Sequence, residues 1–493
     1  MKIIEMKEER HFNFRSFQSK ARQYVSYSEE ELRDILKRLE LSHCLKHFIP
    51  RQDVLDEVDL DNFGEYKNEH YKFTYVGIVL IRDVCFFVYP KYWRDDFEND
   101  PKKVEKFSQI LKVIDKYQAN HSSNLSVNDE FGKSKLSMMI QLLQDYLKNG
   151  LYSNDEIVIE QNGEGQILWE KTINESSAYI SDGTPVYLDL FTQTSVLNEL
   201  DIIRRVHAAI ISEINREVEG ILPYIGLDFN FQISDEETTD FGDVEYLLYL
   251  IEREFSKQFV TSKQIMLNNM KKYLEEEAYQ PEDEIQLYGT TAFNLVWEDV
   301  CVSVYRNSLQ MDMNSLALHK FATYDDSDVP EAKREMYWKK LKLGDFVEKP
   351  VWVHATDNKR VKASKTLMLD VLDVDLTTKT FRIFDAKYYV IRMEPDAYGK
   401  LKIKGQPGVG DVTKQYLYQL AYMELAEENG YGFTNGFIIP KDDLVEDDDV
   451  GQGLGSGKLF GTVEMRIFNQ LNLKNIVVIE RDCYTVFQQY LGI

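Results

Sequence analysis

The chain has 493 residues and a formal net charge of −25, because 83 acidic residues outnumber 58 basic ones. This length predicts two or three domains with sizeable cores, and a hydrophobic fraction of 43% argues against wholesale disorder. Neither a charged-then-apolar leader nor a run of 18 apolar residues occurs, so we expect a cytoplasmic protein that does not enter a membrane.

The first region, residues 1–125, has a mixed pattern of helices and strands. Three- and four-residue apolar spacing predicts helices, whereas short β-branched and aromatic runs predict strands. The predicted helices are 29–41 and 103–117, and the predicted strands are 71–81 and 84–89, joined by a tight turn at Arg82 and Asp83. The polar segment 119–128 is predicted to be a linker.

The middle region, residues 126–280, is predicted to be mainly helical, with helices over 136–148, 196–219 and 244–279. Asn162 and Gly163 are a strong turn signal, and they predict a hairpin over residues 157–169. The four cysteines of the chain are far apart and form no CxxC pair, which is typical of free thiols in a reducing compartment rather than of a zinc site.

The last region, residues 281–493, opens with a turn and a predicted helix N-cap at Gly289 and Thr290. An apolar stripe at helical spacing follows, formed by Phe293, Val296, Trp297 and Val300. Glu298 lies inside this helix. It either faces a polar site in the interior or is an ordinary solvated residue.

Residues 367–389 predict two hydrophobic strands joined by a polar turn, with a carboxylate in each strand. Asp370 interrupts the first apolar run, and Asp385 ends the second, two residues before Lys387. Side chains two apart in a strand share a face, so Asp385 and Lys387 project together. Buried acids beside a lysine indicate a divalent-metal site that hydrolyses a phosphodiester, although solvated strand ends give the same pattern.

A second helix is predicted after the glycine-rich segment 405–410, with Asp411 as its N-cap. Gln415 and Gln419 are four apart and therefore share a helix face, where either amide could contact a phosphate or an attacking water. Further strands are predicted at 433–439, 462–468 and 476–479, and a closing helix at 483–491.

A nucleotide-binding P-loop is not expected in this chain. The nearest glycine-rich string, residues 451–458, has leucine after its lysine and follows an acidic segment rather than a buried strand. We interpret it as a flexible loop, so any nucleotide chemistry must come from another chain.

The order of helix with Glu, strand with Asp, strand with Asp-x-Lys and helix with Gln resembles the PD-(D/E)xK nuclease superfamily. More closely, the strings YGTTAFNLVWEDVC (288–301), FDAKYY (384–389) and GDVTKQYLYQLAY (410–422) resemble the LlaJI restriction-endonuclease family, which is related to the nuclease subunit McrC. The segments 165–173 and 76–91 are similar to parts of the same family, so the resemblance covers most of the chain.

The resemblance implies a multidomain α+β chain. Its C-terminal α/β PD-(D/E)xK core would have a mixed sheet flanked by helices, preceded by the mixed N-terminal region and the largely helical middle region. It also implies site roles: metal ligation by Asp370, Asp385 and Glu298, with Lys387 and Gln415 completing the catalytic set. Leu369 stands where the superfamily has proline, and a shifted register would substitute Asp373 or Asp375 for Asp370; Gln419 could replace Gln415.

By the same resemblance, the chain is an endonuclease that uses Mg²⁺ (or Mn²⁺) to cut DNA within a GTP-dependent restriction system that defends against phage. Its partner would be a McrB-like AAA+ GTPase, expected as a hexameric ring, that the first two regions contact. The hairpin at 157–169 and the middle helices are the candidate contacts. The net charge of −25 agrees with a partner that supplies the DNA. Two alternatives remain open: a GTPase-activating scaffold with a degenerate nuclease domain, and a stand-alone nuclease.

Overall fold

The computed structural model describes residues 2–48, 70–121, 135–227, 232–279, 285–320, 324, 329–396, 398–445 and 456–493. The α-helices in this part of the chain are α1 (Phe14–Ala21), α2 (Glu29–Leu41), α3 (Lys103–His121), α4 (Lys135–Asn149), α5 (Trp169–Glu175), α6 (Ile202–Val218), α7 (Val244–Phe255), α8 (Thr261–Tyr279), α9 (Phe293–Val304), α10 (Arg334–Lys340), α11 (Val409–Glu428) and α12 (Cys483–Leu491). Among these helices, none is both long enough and apolar enough to cross a membrane.

The strands of the same residues are β1 (Lys2–Lys7), β2 (His11–Asn13), β3 (Leu45–Phe48), β4 (His70–Phe73), β5 (Val76–Ile81), β6 (Val84–Tyr89), β7 (Asp155–Gln161), β8 (Gln166–Ile167), β9 (Ala178–Ser181), β10 (Thr184–Tyr187), β11 (Phe191–Leu197), β12 (Gln286–Thr290), β13 (Val351–Val353), β14 (Arg360–Lys362), β15 (Val371–Asp375), β16 (Thr380–Ala386), β17 (Arg392–Pro395), β18 (Leu401–Lys404), β19 (Gly432–Lys441), β20 (Lys458–Val463) and β21 (Ile476–Asp482).

The chain forms two compact units, one made of residues 1–131 and 288–493 and the other of residues 132–287. The predicted mixed α/β architecture of several parts is confirmed. The first unit combines the N-terminal region with the C-terminal region that was predicted to be the nuclease domain. The assignment of separate functions to residues 1–125, 126–280 and 281–493 remains a prediction.

One sheet of the first unit has the strand order β1-β6-β5-β12. β5 and β6 are buried along their whole length, which suits their nearly unbroken apolar sequences VGIVLI and VCFFVY. They pair antiparallel, and Arg82 adopts a left-handed φ of 54° in the two-residue turn between them. The strand predicted over 84–89 and the turn are confirmed. The strand predicted over 71–81 is instead two strands, β4 and β5, which belong to different sheets.

Two glycines allow strands β5 and β12 of this sheet to approach closely. A Cβ atom on Gly77 would lie 2.3 Å from the carbonyl oxygen of Tyr288, and one on Gly289 would lie 2.2 Å from that of Val76. The φ angle of Gly77 is +136°, a backbone conformation that residues other than glycine rarely adopt. Gly289 is therefore part of a strand, and the turn predicted there is wrong.

The second sheet of the first unit has the order β15-β16-β19-β21-β20. Its centre is parallel, because β19 pairs parallel with both β16 and β21, and its two edges are antiparallel. Helices α9, α11 and α12 contact this sheet. The mixed sheet flanked by helices is confirmed, as is the closing helix at Cys483–Leu491.

The second unit contains the three-stranded sheet β7-β11-β8, the hairpin of β9 and β10, and four longer helices. The hairpin predicted over 157–169 is wrong, since β7 and β8 both pair with β11 instead of with each other. A distant strand supplies the partner, and local turn signals do not reveal such long-range pairing. The helix predicted over 136–148 is confirmed as α4. The helix predicted over 196–219 is correct only from Ile202 onwards, because its first residues belong to β11. The single helix predicted over 244–279 is two helices, α7 and α8.

Other predictions meet the structure only in part. The linker predicted at 119–128 begins inside α3, and its remainder, like residues 451–455 of the glycine-rich string, lies outside the described residues. The N-cap of α9 is Ala292 rather than Thr290, whose hydroxyl accepts a hydrogen bond from the Ala292 N–H at 3.0 Å. All four cysteines are free thiols with buried side chains.

Trp297 packs α9 onto the second sheet, and it generates a stability prediction. Its side chain is fully buried, and its indole N–H donates to the Ile438 carbonyl of β19 at 3.3 Å. Trp297→Ala should lower the free energy of unfolding by about 3–5 kcal/mol, because it leaves a large cavity and removes one hydrogen bond. Trp352→Ala is the matched control, since Trp352 is 73% exposed. Urea denaturation followed by circular dichroism measures both, and equal effects would contradict the prediction.

Candidate active site

Asp370 and Asp385 face each other at one end of the antiparallel pair β15 and β16. Val371 pairs with Phe384, and continuing this register places Asp370 opposite Asp385. The Asp370 carboxylate accepts a hydrogen bond from the Ala386 N–H at 2.9 Å, and the two carboxyl groups lie within hydrogen-bonding reach of each other. The first strand begins at Val371, so Asp370 sits at its entrance rather than within it.

The two carboxyl groups hold protons unusually well. Burial and the negative charge of Asp370, against the opposing effect of Lys387, raise the pKa of Asp385 to about 7. Burial also raises the pKa of Asp370, although the Ala386 N–H stabilises its charged form. At neutral pH, the pair therefore favours a shared proton or a cation over two bare negative charges.

Lys387 is the cation nearest to the pair. Its ammonium group lies 2.6 Å from Asp385 and 4.0 Å from Asp411, and 17% of its side chain is exposed. Burial lowers the pKa of Lys387, but Asp385, Asp370 and Asp411 outweigh it and leave the pKa above its usual value. The main chain at Lys387 is fixed as well, because its N–H donates to the Ile438 carbonyl at 2.9 Å. Lys387 is thus a charged, positioned lysine.

Glu298 projects from α9 toward the same charges. Burial has the largest effect on its pKa and raises it. The charge of Asp385 raises the pKa as well, whereas the charges of Lys387 and Lys414 lower it. Glu298 is therefore a half-buried residue of this group rather than a solvated one. When all are ionised, four carboxylates and two lysines give the group a formal charge of −2; its members are Asp370, Asp385, Glu298, Asp411, Lys387 and Lys414.

The start of α11 differs from the prediction. Its N-cap is Gly408, and Asp411 lies in the first turn of the helix, so the N-cap predicted at Asp411 is wrong. The Asp411 carboxylate instead accepts a hydrogen bond from the Tyr389 hydroxyl at 3.2 Å and faces Lys387. A carboxylate in the first turn is stabilised by the helix dipole, and here it also helps to hold the lysine.

Gln415 and Gln419 are both buried, and both interact with the amide of Asn435 on β19. Gln415 donates to the Asn435 side chain at 2.7 Å and to the Gly436 carbonyl at 3.1 Å. The amide oxygen of Gln419 is occupied, since it accepts from Asn435 and from the Lys474 N–H, both at 3.2 Å. The amide oxygen of Gln415 is buried and has no hydrogen-bond donor among the described residues.

Asp373 and Asp375, which a register shift would have substituted for Asp370, are held elsewhere. Arg382 contacts both carboxylates, at 3.1 Å from Asp373, and Arg306 lies 3.4 Å from Asp373. These ion pairs neutralise the two acids. Asp370 is therefore the residue of this strand that the structure brings to Asp385.

The structure adds residues that sequence reasoning did not connect with the site. Tyr388, next to Lys387, donates its buried hydroxyl to the carboxylate of Glu8 at the end of the first unit's N-terminal strand. Glu8 also accepts from the Lys91 N–H at 3.1 Å, and the Lys91 ammonium lies 4.5 Å from the centre of the Tyr388 ring. These partners are 297 or more residues away in sequence, so no local pattern could have revealed them.

Tyr418 is a second such residue. It lies on α11, seven residues after Asp411, and it is buried. Burial raises its pKa to about 12, with further contributions from the charges of Asp385 and Asp370. Its seven-residue spacing from Asp411 is the only sequence signal for this placement, and the same spacing is common in helices that merely pack.

The donor set fits a hard divalent cation. Carboxylate oxygens are the preferred ligands of Mg²⁺ and Mn²⁺, and the group carries a formal charge of −2 that one divalent ion would neutralise. Burial and the charge of Asp370 raise the pKa of Asp385, and the buried amide oxygen of Gln415 has no hydrogen-bond donor among the described residues. Asp370 and Asp385 are the residues that could hold such an ion. The carboxylate oxygens of Glu298, Asp370 and Asp385 do not all lie within 4.8 Å of one another, so ligation by Glu298 remains a prediction.

The geometry of two carboxylates and a lysine at the end of a mixed sheet is accompanied by a family match. A family model described as LlaJI restriction endonuclease matches residues 75–336 and 335–459. The chain therefore belongs to the LlaJI restriction endonuclease family.

The chain is also similar to a curated relative and to chains of two solved structures. The chain is 28% identical over 428 residues to the "Type II restriction enzyme BsuMI component YdjA" of Bacillus subtilis (strain 168), covering 85% of this chain and 80% of that protein. It is similar to a chain in an assembly of Thermococcus gammatolerans McrB AAA+ hexamers with bound McrC, with 12% identity, a TM-score of 0.37, and coverage of 99% and 98%. A chain of the McrBC complex from that organism gives 14% identity, a TM-score of 0.24, and coverage of 62% and 89%.

The Glu8–Tyr388 contact predicts a pH-dependent stability effect. Burial raises the pKa of Glu8 from 4.5 to about 7, so folding favours its protonated form. The free energy of unfolding should therefore fall as pH rises from about 4.5 through 7. Glu8→Gln removes this ionisation but keeps an oxygen for Tyr388. Relative to wild type, the variant should gain up to about 3 kcal/mol between pH 5 and pH 8.

Denaturant unfolding at the two pH values measures this difference. Glu40→Gln, on the exposed side of α2, is the control and should leave the free energy of unfolding nearly unchanged at both. The same difference from wild type at pH 5 and at pH 8 would show that Glu8 does not ionise across this range.

Proposed function

We propose that this chain is a Mg²⁺- or Mn²⁺-dependent DNA endonuclease of the PD-(D/E)xK type and a subunit of a GTP-dependent restriction system. The observation that carries the proposal is the pair of half-buried Asp370 and buried Asp385, with the Lys387 ammonium 2.6 Å from Asp385. Membership of a restriction endonuclease family supports DNA as the substrate.

Asp370 and Asp385 would hold the metal ion, with Glu298 as a further ligand. When bound, the ion would polarise a phosphoryl oxygen and lower the pKa of a coordinated water. The strand register fixes the two aspartates opposite each other before any ligand arrives, so little reorganisation is needed on binding.

Lys387 supplies a positive charge where negative charge develops on the phosphate during hydrolysis. Asp385 and Asp411 hold its ammonium group in place, and its raised pKa keeps it charged at neutral pH. A preorganised cation of this kind stabilises the transition state more than the ground state. Gln415, whose amide oxygen is without a donor among the described residues, would orient the attacking water.

The proposed partner is a McrB-like AAA+ GTPase, working as a hexameric ring that binds and moves DNA. A net charge of −25 opposes unaided binding to a polyanion, so delivery of DNA by another subunit is physically reasonable. The Bacillus relative is named a component, which supports a multi-chain enzyme. The unit formed by residues 132–287 is the proposed region of contact with the GTPase.

Lys387→Ala tests the catalytic assignment. It should reduce plasmid cleavage in Mg²⁺ by at least about 100-fold, because it removes the positioned charge, while GTP hydrolysis by the partner should remain stimulated. Both rates are measured in the same reaction with the partner GTPase and GTP. Lys379→Ala is the matched control, since it removes a lysine from the turn of the same β15–β16 pair.

Cleavage by Lys387→Ala at the wild-type rate would contradict the assigned role. If wild type stimulates GTP hydrolysis but never cuts, the chain is a GTPase-activating scaffold with a degenerate nuclease domain. If wild type cuts equally well without GTPase and GTP, it is a stand-alone nuclease.

A further inference from the structure

The hairpin of β13 and β14 in the first unit is exposed along its whole length. Every residue from 348 to 362 is exposed, including Trp352 at 73% and Val361 at 65%. Two-stranded hairpins are only marginally stable alone in water, and Trp352 and Val361, which pair across this hairpin, leave an apolar pair exposed on one of its faces. This segment, residues 349–365, is called the basic hairpin below.

The basic hairpin has the opposite charge to the chain as a whole. Residues 349–365 have a net formal charge of +4, within a chain of net charge −25. Its one acid is Asp357, and its basic residues are Lys349, Lys359, Arg360, Lys362 and Lys365. Asp357 pairs with Lys359 at 2.9 Å and with His354 at 2.7 Å near the turn. The excess of positive charge is therefore local and fits a polyanion.

The basic hairpin rises from the core next to Asp370. Its two legs begin at Phe346 and end at Leu369, and both residues are buried in the same hydrophobic cluster. Hydrogen bonds extend the pairing below the strands, from the Ala363 N–H to the Pro350 carbonyl at 2.7 Å and from the Thr366 hydroxyl to the Glu348 carbonyl at 2.6 Å. Thr366 is four residues from Asp370, a chain span of at most about 14 Å.

The strand register separates two kinds of surface on the hairpin. Trp352 pairs with Val361, whereas Val353 pairs with Arg360, so the tryptophan and the arginine project from opposite faces. A ligand that lies flat on one face would meet only one of them. A groove of duplex DNA admits a two-stranded ribbon and surrounds both faces.

We propose that the basic hairpin is a DNA-contacting element that enters a groove of the duplex beside the scissile phosphate. Arg360, Lys349 and Lys365 contact backbone phosphates, and Trp352 packs against sugars or base edges on the other wall of the groove. This proposal rests on the proposed nuclease function. It explains how a strongly acidic chain holds DNA at its own active site once the DNA has been delivered.

The test compares two triple charge reversals in the full-length chain. One variant carries Lys349→Glu, Arg360→Glu and Lys365→Glu in the basic hairpin. The control carries Lys37→Glu, Lys112→Glu and Lys272→Glu, which are exposed lysines of α2, α3 and α8. Both change the net charge equally. Circular dichroism checks that each variant is folded, and fluorescence anisotropy measures binding to a short labelled duplex in EDTA, where no metal-dependent cleavage occurs.

The hairpin variant should bind at least about tenfold more weakly at low salt, and its log-affinity should depend on log-salt concentration with a slope shallower by about 2 to 3. The control should stay within about twofold of wild type. Equal losses in both variants, no loss in the hairpin variant, or no binding by wild type at low salt would overturn the proposal. Unchanged DNA binding with lost stimulation of the GTPase would assign the hairpin to the protein partner instead.

Trp352→Phe gives an independent readout. If Trp352 packs against DNA, adding the duplex should quench part of the wild-type tryptophan fluorescence, and this part should be missing in Trp352→Phe. Identical quenching in both proteins would remove Trp352 from the interface.

The binding assay also separates this proposal from the proposed function. Loss of binding through the hairpin in a protein that never cuts DNA would leave the proposal standing and refute the nuclease. If the hairpin variant cuts DNA normally and binds it with wild-type affinity, the nuclease function stands and the hairpin proposal is refuted.

Discussion

The repulsion between Asp370 and Asp385 is the constraint around which the site is organised. The register of β15 and β16 forces the two carboxylates together, and burial raises the pKa of each. Two like charges in a poorly hydrated place are stable only if a proton, a lysine or a metal ion offsets them. The Ala386 N–H and Lys387 provide part of that compensation, and the remaining negative charge is what would attract the proposed divalent cation.

The surroundings keep Lys387 in place from two directions. Asp411 in the first turn of α11 faces its ammonium group, and Tyr388, adjacent in sequence to Lys387, is anchored by Glu8, the residue that follows β1. The N-terminal region is therefore structurally part of the unit that carries the candidate site, not an appended module. This explains why the residues that support the site come from both ends of the sequence.

Sequence patterns predicted the structural features that are determined by residues close together in the chain. The period-two strands around Asp370 and Asp385, the apolar stripe of α9 and the helix after Gly408 all follow from local apolar spacing and turn chemistry, and all are present. Local signals also suggested that Gln415 and Gln419 share a face. They could not show that Asn435 occupies the amide oxygen of Gln419 while that of Gln415 lacks a donor among the described residues.

Long-range pairing was the main source of error. Asn162 and Gly163 are a sound turn signal, yet β7 pairs with β11, some thirty residues away in sequence. Likewise, aspartate is a residue type that is common at N-caps, but Gly408 is the N-cap of α11. The carboxylate of Asp411 therefore faces Lys387 instead of capping the helix. In both cases tertiary contacts, which no window of sequence contains, overrode a correct local preference.

The most direct measurement is the anomalous diffraction of Mn²⁺ in crystals of the full-length chain. The account predicts a Mn²⁺ peak bound by the carboxylates of Asp370 and Asp385, which disappears in Asp385→Asn. The cluster of Asp100, Asp442 and Asp443 serves as an internal comparison, because its oxygens lie within 4.8 Å of one another but the Lys106 ammonium group already forms ion pairs with all three carboxylates. A peak at that cluster with none between Asp370 and Asp385 would contradict the account.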